Sequence, residues 1–269
     1  MMLKRIDTIS YANAFRGISP VWKCGFAGCL FILSYAGAPP VQAAVFGWMT
    51  LWTLLYARVP GKLYWLVYGG SLLFFAASLP ALLLEFGRNT GTGVPLSTGW
   101  IIGTAGPWTV YVTGESLSRT AGLFMRVSAC LACLQFVLFT TPLLEILQVM
   151  KKIRVPQIVI ELTLIMYRFI FLLADTAHAM RTAQRCRGGQ NGFAGGLRDT
   201  ALLIVHLFGR TMQRYRGLAY GLTSRGFTER IELAPYEAAP VPPRYKAEGV
   251  TGIFMLTAAQ IWLKWRGFA

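Results

Sequence analysis

Apolar runs long enough to cross a bilayer alternate along this chain with short polar breaks. The first covers residues 22–37, WKCGFAGCLFILSYAG. A spanning helix needs about 20 mostly apolar residues. Ala38-Pro39-Pro40 closes the run, because proline punctuates helices, and a second run, 41–57, begins at once. So short a turn predicts a helical hairpin. After the basic break RVPGK, a third run covers 63–86, with a kink expected at Pro80 and close packing at Gly69-Gly70. A fourth covers 119–142 and ends at Pro142. Its Arg126 is expected to face protein or water rather than lipid. The last run, 250–263, VTGIFMLTAAQIWL, is short.

Two stretches break the alternation. Residues 87–118 are rich in Gly, Ser and Thr and carry Trp100 and Trp108. Such a loop is expected at the membrane surface, where indole rings settle. Residues 157–174 are apolar enough to span, yet Glu161, Arg168 and Asp175 recur every seven residues and share one helix face. That stripe predicts an amphipathic helix running to about Arg187 and stopping at Gly188-Gly189, where glycine takes the left-handed cap. A second helix is expected over 197–225, with Leu202, Val205, Leu207 and Met212 on its apolar side, stopping at Gly226. A Pro-rich linker, 234–249, precedes the last span. The expected fold is therefore all-α: a polytopic membrane protein with about five transmembrane helices and two long amphipathic cytoplasmic helices. Its parts are 1–142 (N-terminal segment and four spans), 143–230 (the helix pair), 231–248 (linker) and 249–269 (last span).

Composition agrees. Of 269 residues, 55% are hydrophobic and 14% charged, with a mean hydropathy of +0.49. Soluble domains carry about 25% charged residues. The opening MMLKRIDTISYANAFRG is polar for too long to read as a signal peptide. The formal net charge is +15. Nucleic-acid binding is one reading of that excess, but the basic residues sit between apolar runs, as the positive-inside bias requires. Lys4, Arg5, Arg16 and Lys23 precede the first span, Arg58 and Lys62 follow the second, and Lys151, Lys152 and Arg154 follow the fourth. All share one side if the N-terminus is cytoplasmic. Thirteen Lys or Arg then crowd 143–230 on that same side. Five spans leave the basic tail KWRGFA outside, against the bias.

Chemistry-bearing clusters are sparse. The five cysteines are odd in number, and Cys130-Leu-Ala-Cys133 lies inside an apolar run, where small residues let helices approach. Gly87, Gly91 and Gly93 lack the GK[ST] of a phosphate loop. His178 and His206 stand on the two amphipathic helices without other ligands beside them in sequence. No catalytic residue, metal ligand or cofactor is expected.

One pattern repeats. Cys186-Arg187-Gly188 ends the first basic helix, and Ser224-Arg225-Gly226 ends the second, 38 positions later. Alone, each reads as a cation near a helix C-terminus, which the dipole favours. Together, at the ends of two long cytoplasmic helices after four spans, they resemble the T component of energy-coupling-factor transporters, in its cobalt-transport CbiQ branch. IDTISYANAFRGISPVWK, FMRVSACLACLQFVLFTTP and YRFIFLLADTAHAMRTAQRCRGG resemble that branch as well, so the likeness covers nearly the whole chain. Cys186 departs from the usual Ala or Ser.

The resemblance implies a non-catalytic scaffold in a bacterial or archaeal cytoplasmic membrane. Two cytoplasmic CbiO-like ATPases would bind the two helix ends, through Arg187 and Arg225 with their neighbours Cys186, Gly188, Ser224 and Gly226. A CbiM-like membrane subunit would capture the substrate, most simply cobalt, beside a small CbiN-like subunit. Membrane lipid is a partner and nucleic acid is not. A T component shared among vitamin or nickel systems, and a self-contained secondary transporter, are the alternatives. The latter calls for an inverted repeat or charged pathway that the spans do not display.

Overall fold

The computed structural model describes residues 2–88, 99–105, 108–189, 192–226 and 241–266. Met1–Pro142 and Ala238–Ala269 gather into one compact unit, and Leu143–Glu237 forms another. By length and composition, Gly61–Leu83, Gly114–Thr140 and Gln157–Cys186 are able to cross a membrane, and Pro20–Ala36 is a shorter apolar helix.

In the first unit, α1 (Met2–Ala12) leads to α2 (Pro20–Ala36). Proline at its first position suits the start of α2, where no partner for the N–H is needed. The hairpin turn is held from both sides. Gln42 Nε2 donates to Ser34 O (3.1 Å) and Gly37 O (2.8 Å), and the Ala38 N–H donates to Gln260 Oε1 (3.0 Å). Helix α3 (Pro39–Leu51) passes into a π-helical turn, Trp52–Tyr56, closed by Ala57 N–H to Trp52 O at 3.0 Å. Helices α4 (Gly61–Leu83) and α5 (Gly114–Thr140) complete the first set, and α9 (Pro243–Trp265) returns to it.

Contacts fix the directions. Phe26 and Phe136 lie 6.1 Å apart and Lys23 Nζ is 3.0 Å from Thr140 O, so the start of α2 meets the end of α5. Tyr64 is 6.4 Å from Phe139 and Phe75 is 5.5 Å from Phe124, so α4 and α5 are antiparallel. Gly249 lies against Trp22 and Phe26, whereas Gln260 reaches the α2–α3 turn, so α9 runs parallel to α2. Gly252 permits this. A Cβ there would run into the Trp48 indole. The end of α9 therefore lies with the α2–α3 turn, as the five-span reading requires despite its charge. Aromatic rings knit the centre: Trp52 lies 5.0 Å from Phe26, 6.0 Å from Phe15 and 6.3 Å from Tyr245. Arg126 is exposed on α5, with its guanidinium over the Tyr35 ring.

The 87–118 stretch departs from the loop that its composition predicts. It contributes to a three-stranded antiparallel sheet, order β1-β3-β2, of β1 (Glu85–Arg88), β2 (Gly99–Ala105) and β3 (Trp108–Thr113). Glu85 pairs with Tyr111, Gly99 with Thr113, and a bulge sits between Ile101 and Gly103. The Gly and Thr content hides strands whose interiors, WII and VYV, are aromatic and β-branched. Helix α5 also starts five residues before its apolar run, because the Thr113 N–H donates to Ser116 Oγ at 3.1 Å and caps the extra turn.

The second unit holds α6 (Leu143–Lys152), α7 (Gln157–Cys186) and α8 (Gly192–Thr223). Helix α8 begins earlier than predicted, at Gly192 with φ +71°, and runs through Gly195-Gly196. Glycine is a poor helix former, but packing on α7 overrides it: Gln184 Nε2 donates to Asp199 O at 3.0 Å.

Candidate functional site

The two Arg-Gly endings share one backbone feature, a left-handed glycine after the arginine. At the end of α7, Arg187 is the C-cap and Gly188 follows in the left-handed region, φ +78°. The Gly188 N–H donates to Arg185 O (3.1 Å) and the Gly189 N–H to Gln184 O (3.0 Å). These are the two bonds of a Schellman motif, which satisfy carbonyls that the helix itself leaves open. At the end of α8, Gly226 has φ +69° and its N–H donates to Thr223 O at 3.0 Å. Arg225 therefore stands at the position that Arg187 occupies, with Ser224 matching Cys186. In both endings a small residue and an arginine precede a left-handed glycine, although α7 is helical through Cys186 and α8 only to Thr223, one residue short of Ser224.

All six residues are exposed, whereas Gln184 on α7 and Gly221 and Leu222 on α8, just before them, are half-buried. The structure does not bring the two endings together. Gln184, near the end of α7, touches Asp199, near the start of α8. Arg225 lies 26 residues further along the second helix. At about 1.5 Å per residue that is roughly 40 Å. Two separate cationic tips result. Each arginine offers a planar fork of donors able to take a carboxylate bidentately.

Among the described residues no group of three or more His, Cys, Asp or Glu gathers in a way that could hold a metal ion. His178 and His206 are exposed, as are Arg168 and Asp175 of the α7 stripe, while Glu161 accepts from Gln157 Nε2 at 2.9 Å. No residue of α8 is buried. Phe193, Ile204, Phe208 and Tyr220 all face outward on it.

Lys23 is where sequence reasoning goes astray. Its position before an apolar run reads as a flanking surface charge. In the structure it is fully buried, and its Nζ donates to Thr140 O. Asn13 Nδ2 donates to the neighbouring carbonyl, Phe139 O, at 2.8 Å. No local pattern announces either contact, since the partners lie more than 100 residues away.

Comparison with known proteins gives the family. Residues 12–236 match the cobalt transport protein family CbiQ. The chain belongs to that family. The CbiQ cobalt transport protein of Rhodobacter capsulatus is 32% identical over 244 residues, covering 90% of this chain and 92% of the relative. A putative fused cobalt transport protein CbiMQ of Methanocorpusculum labreanum is 29% identical over 243 residues, 88% of this chain and 39% of that longer one. The CbiQ protein of Salmonella typhimurium is 28% identical over 113 residues, 42% of this chain and 50% of the relative. As a CbiQ-family chain with membrane-length apolar helices, the protein is a membrane component of cobalt transport.

Proposed function

We propose that the chain is the coupling scaffold of an energy-coupling-factor importer. It would link ATP hydrolysis by two partner ATPases to cobalt uptake through a separate capture subunit. The observation that carries this reading is the repetition of one exposed ending, an Arg followed by a left-handed Gly, on two helices whose tips are roughly 40 Å apart. A cap needs only the glycine. An arginine at the same place twice fits a pair of equivalent acidic grooves on two copies of one partner. In this reading residues 143–230 are cytoplasmic, Arg187 and Arg225 are the anchors, and Cys186, Gly188, Ser224 and Gly226 shape the tips. The chain neither hydrolyses ATP nor holds a resident metal. The relative named as a fused CbiMQ supports a CbiM-like capture partner. CbiO-like ATPases and a CbiN-like subunit complete the proposed complex in the cytoplasmic membrane, with several passes of this chain through it.

Truncating one side of a desolvated charge pair costs about 2–5 kcal/mol, mostly for the group left behind. Arg187→Ala or Arg225→Ala is expected to weaken uptake strongly while one tip still holds its ATPase. The double variant releases both. Arg→Lys rescues only in part, because an ammonium lacks the fork. Co-purification of the ATPases and cobalt uptake in cells are the measurements. A double variant that keeps its ATPases and transports normally reduces both endings to helix caps and removes the proposal.

A further inference from the structure

We propose that Lys23 and Asn13 form a latch on the last turn of α5, and that both are positioning residues for the coupling proposed above, on which this inference rests. The last four carbonyls of a helix have no partner within it. In α5 Val137 O receives the Thr141 N–H (3.0 Å), and Phe139 O and Thr140 O are taken by side chains from elsewhere in the unit. Asn13 Nδ2 binds Phe139 O at 2.8 Å and Ser10 O at 2.9 Å, and Lys23 Nζ binds Thr140 O at 3.0 Å. Thr140 Oγ1 adds a bond to Phe136 O at 2.6 Å.

Lysine is among the residues least often fully buried, since burial of its polar head is costly. Here it is fully buried at the first turn of α2. A cation is favoured at a helix C-terminus, but an exposed one would serve that purpose without the burial. What burial adds is rigidity. The bond ties α5 to α2 where water cannot compete for the carbonyl.

The location gives that rigidity a use. Two residues after Thr140 comes Pro142, also buried, where the first unit ends and the chain passes into Leu143–Glu237. Proline has no N–H to continue the backbone ladder. A displacement that enters along the chain at this junction meets the last turn of α5 before any other helix of the first unit. Unlatched, that turn unwinds and absorbs the motion. Latched, α5 moves together with α2.

Two variants test the latch: Lys23→Met, which keeps the length and removes the donor, and Asn13→Ala, which removes one neutral donor and keeps the test open should the lysine variant misfold. In the full chain alone, hydrogen exchange of residues 137–141 is expected to quicken about tenfold or more in each. In the complex with its ATPases, reconstituted in vesicles, ATP hydrolysis persists while cobalt taken up per ATP falls at least about tenfold, since coupling depends on a two-state element that both sites bias. Unchanged exchange in both variants overturns the latch. Hydrolysis and uptake falling in proportion overturn the positioning role, because a merely structural part would do that. A parent complex that couples nothing removes the scaffold reading, and the exchange arm still decides whether the latch exists.

Discussion

Replacing Gly188 by alanine tests whether the ending of α7 is the backbone device described above. The residue sits at φ +78°, and nothing lies within 4 Å of where a Cβ would be placed, so backbone strain is the only cost of the substitution. Left-handed backbone costs an L-residue about 1–2 kcal/mol. That energy falls on two hydrogen bonds, from Gly188 to Arg185 O and from Gly189 to Gln184 O. The population in which the last turn is open should rise by a factor of about 5–30. Amide exchange over residues 185–189 reports that opening and should quicken by the same factor. Gly188→Asn should quicken it less, because asparagine visits the left-handed region more readily. The same ordering is expected at Gly226, φ +69°. Equal exchange in the parent, alanine and asparagine chains would refute the reasoning.

Two further outcomes follow from the packing of α9. Gly252→Val drives a side chain into the Trp48 indole and should cost about 1–3 kcal/mol as overpacking, read as a lower melting midpoint in detergent; a variant that melts with the parent shows that α9 does not seat there. In a cysteine-free background, a cysteine at Trp265, which is 89% exposed, should label from the opposite membrane face to one at Lys62, because α9 and α2 run parallel and the start of α4 lies by the end of α5. Labelling of both from one face would overturn that arrangement.

The features legible in the sequence were those set by local chemistry. Gly188 and Gly226 end their helices in the left-handed region because few other residues tolerate it, and Ala38-Pro39-Pro40 turns the chain where proline must. The periodic stripe of α7 and the repeated Arg-Gly are likewise local patterns. What stayed hidden depends on partners far along the chain. The burial of Lys23 is set by Thr140, and the helical state of Gly195-Gly196 goes with the packing of α8 on α7. The sheet was missed because glycines diluted the strand signal of Trp100-Ile101-Ile102 and Val110-Tyr111-Val112. Helix α9 starts at Pro243, seven residues before its apolar run, since Pro242-Pro243 provides a helix start that hydropathy alone overlooks.

The return of α9 has a consequence for biosynthesis. The first unit is interrupted: the chain leaves it at Pro142 and rejoins it at Ala238. A ribosome makes α2, α3, α4 and α5, then the whole intervening unit, before the helix that covers Trp22, Phe26 and Trp48 emerges. Throughout that interval the nascent protein presents an open aromatic furrow. A chain stopped anywhere before residue 243 lacks the helix that lies against Trp22, Phe26 and Trp48, and it keeps that furrow open.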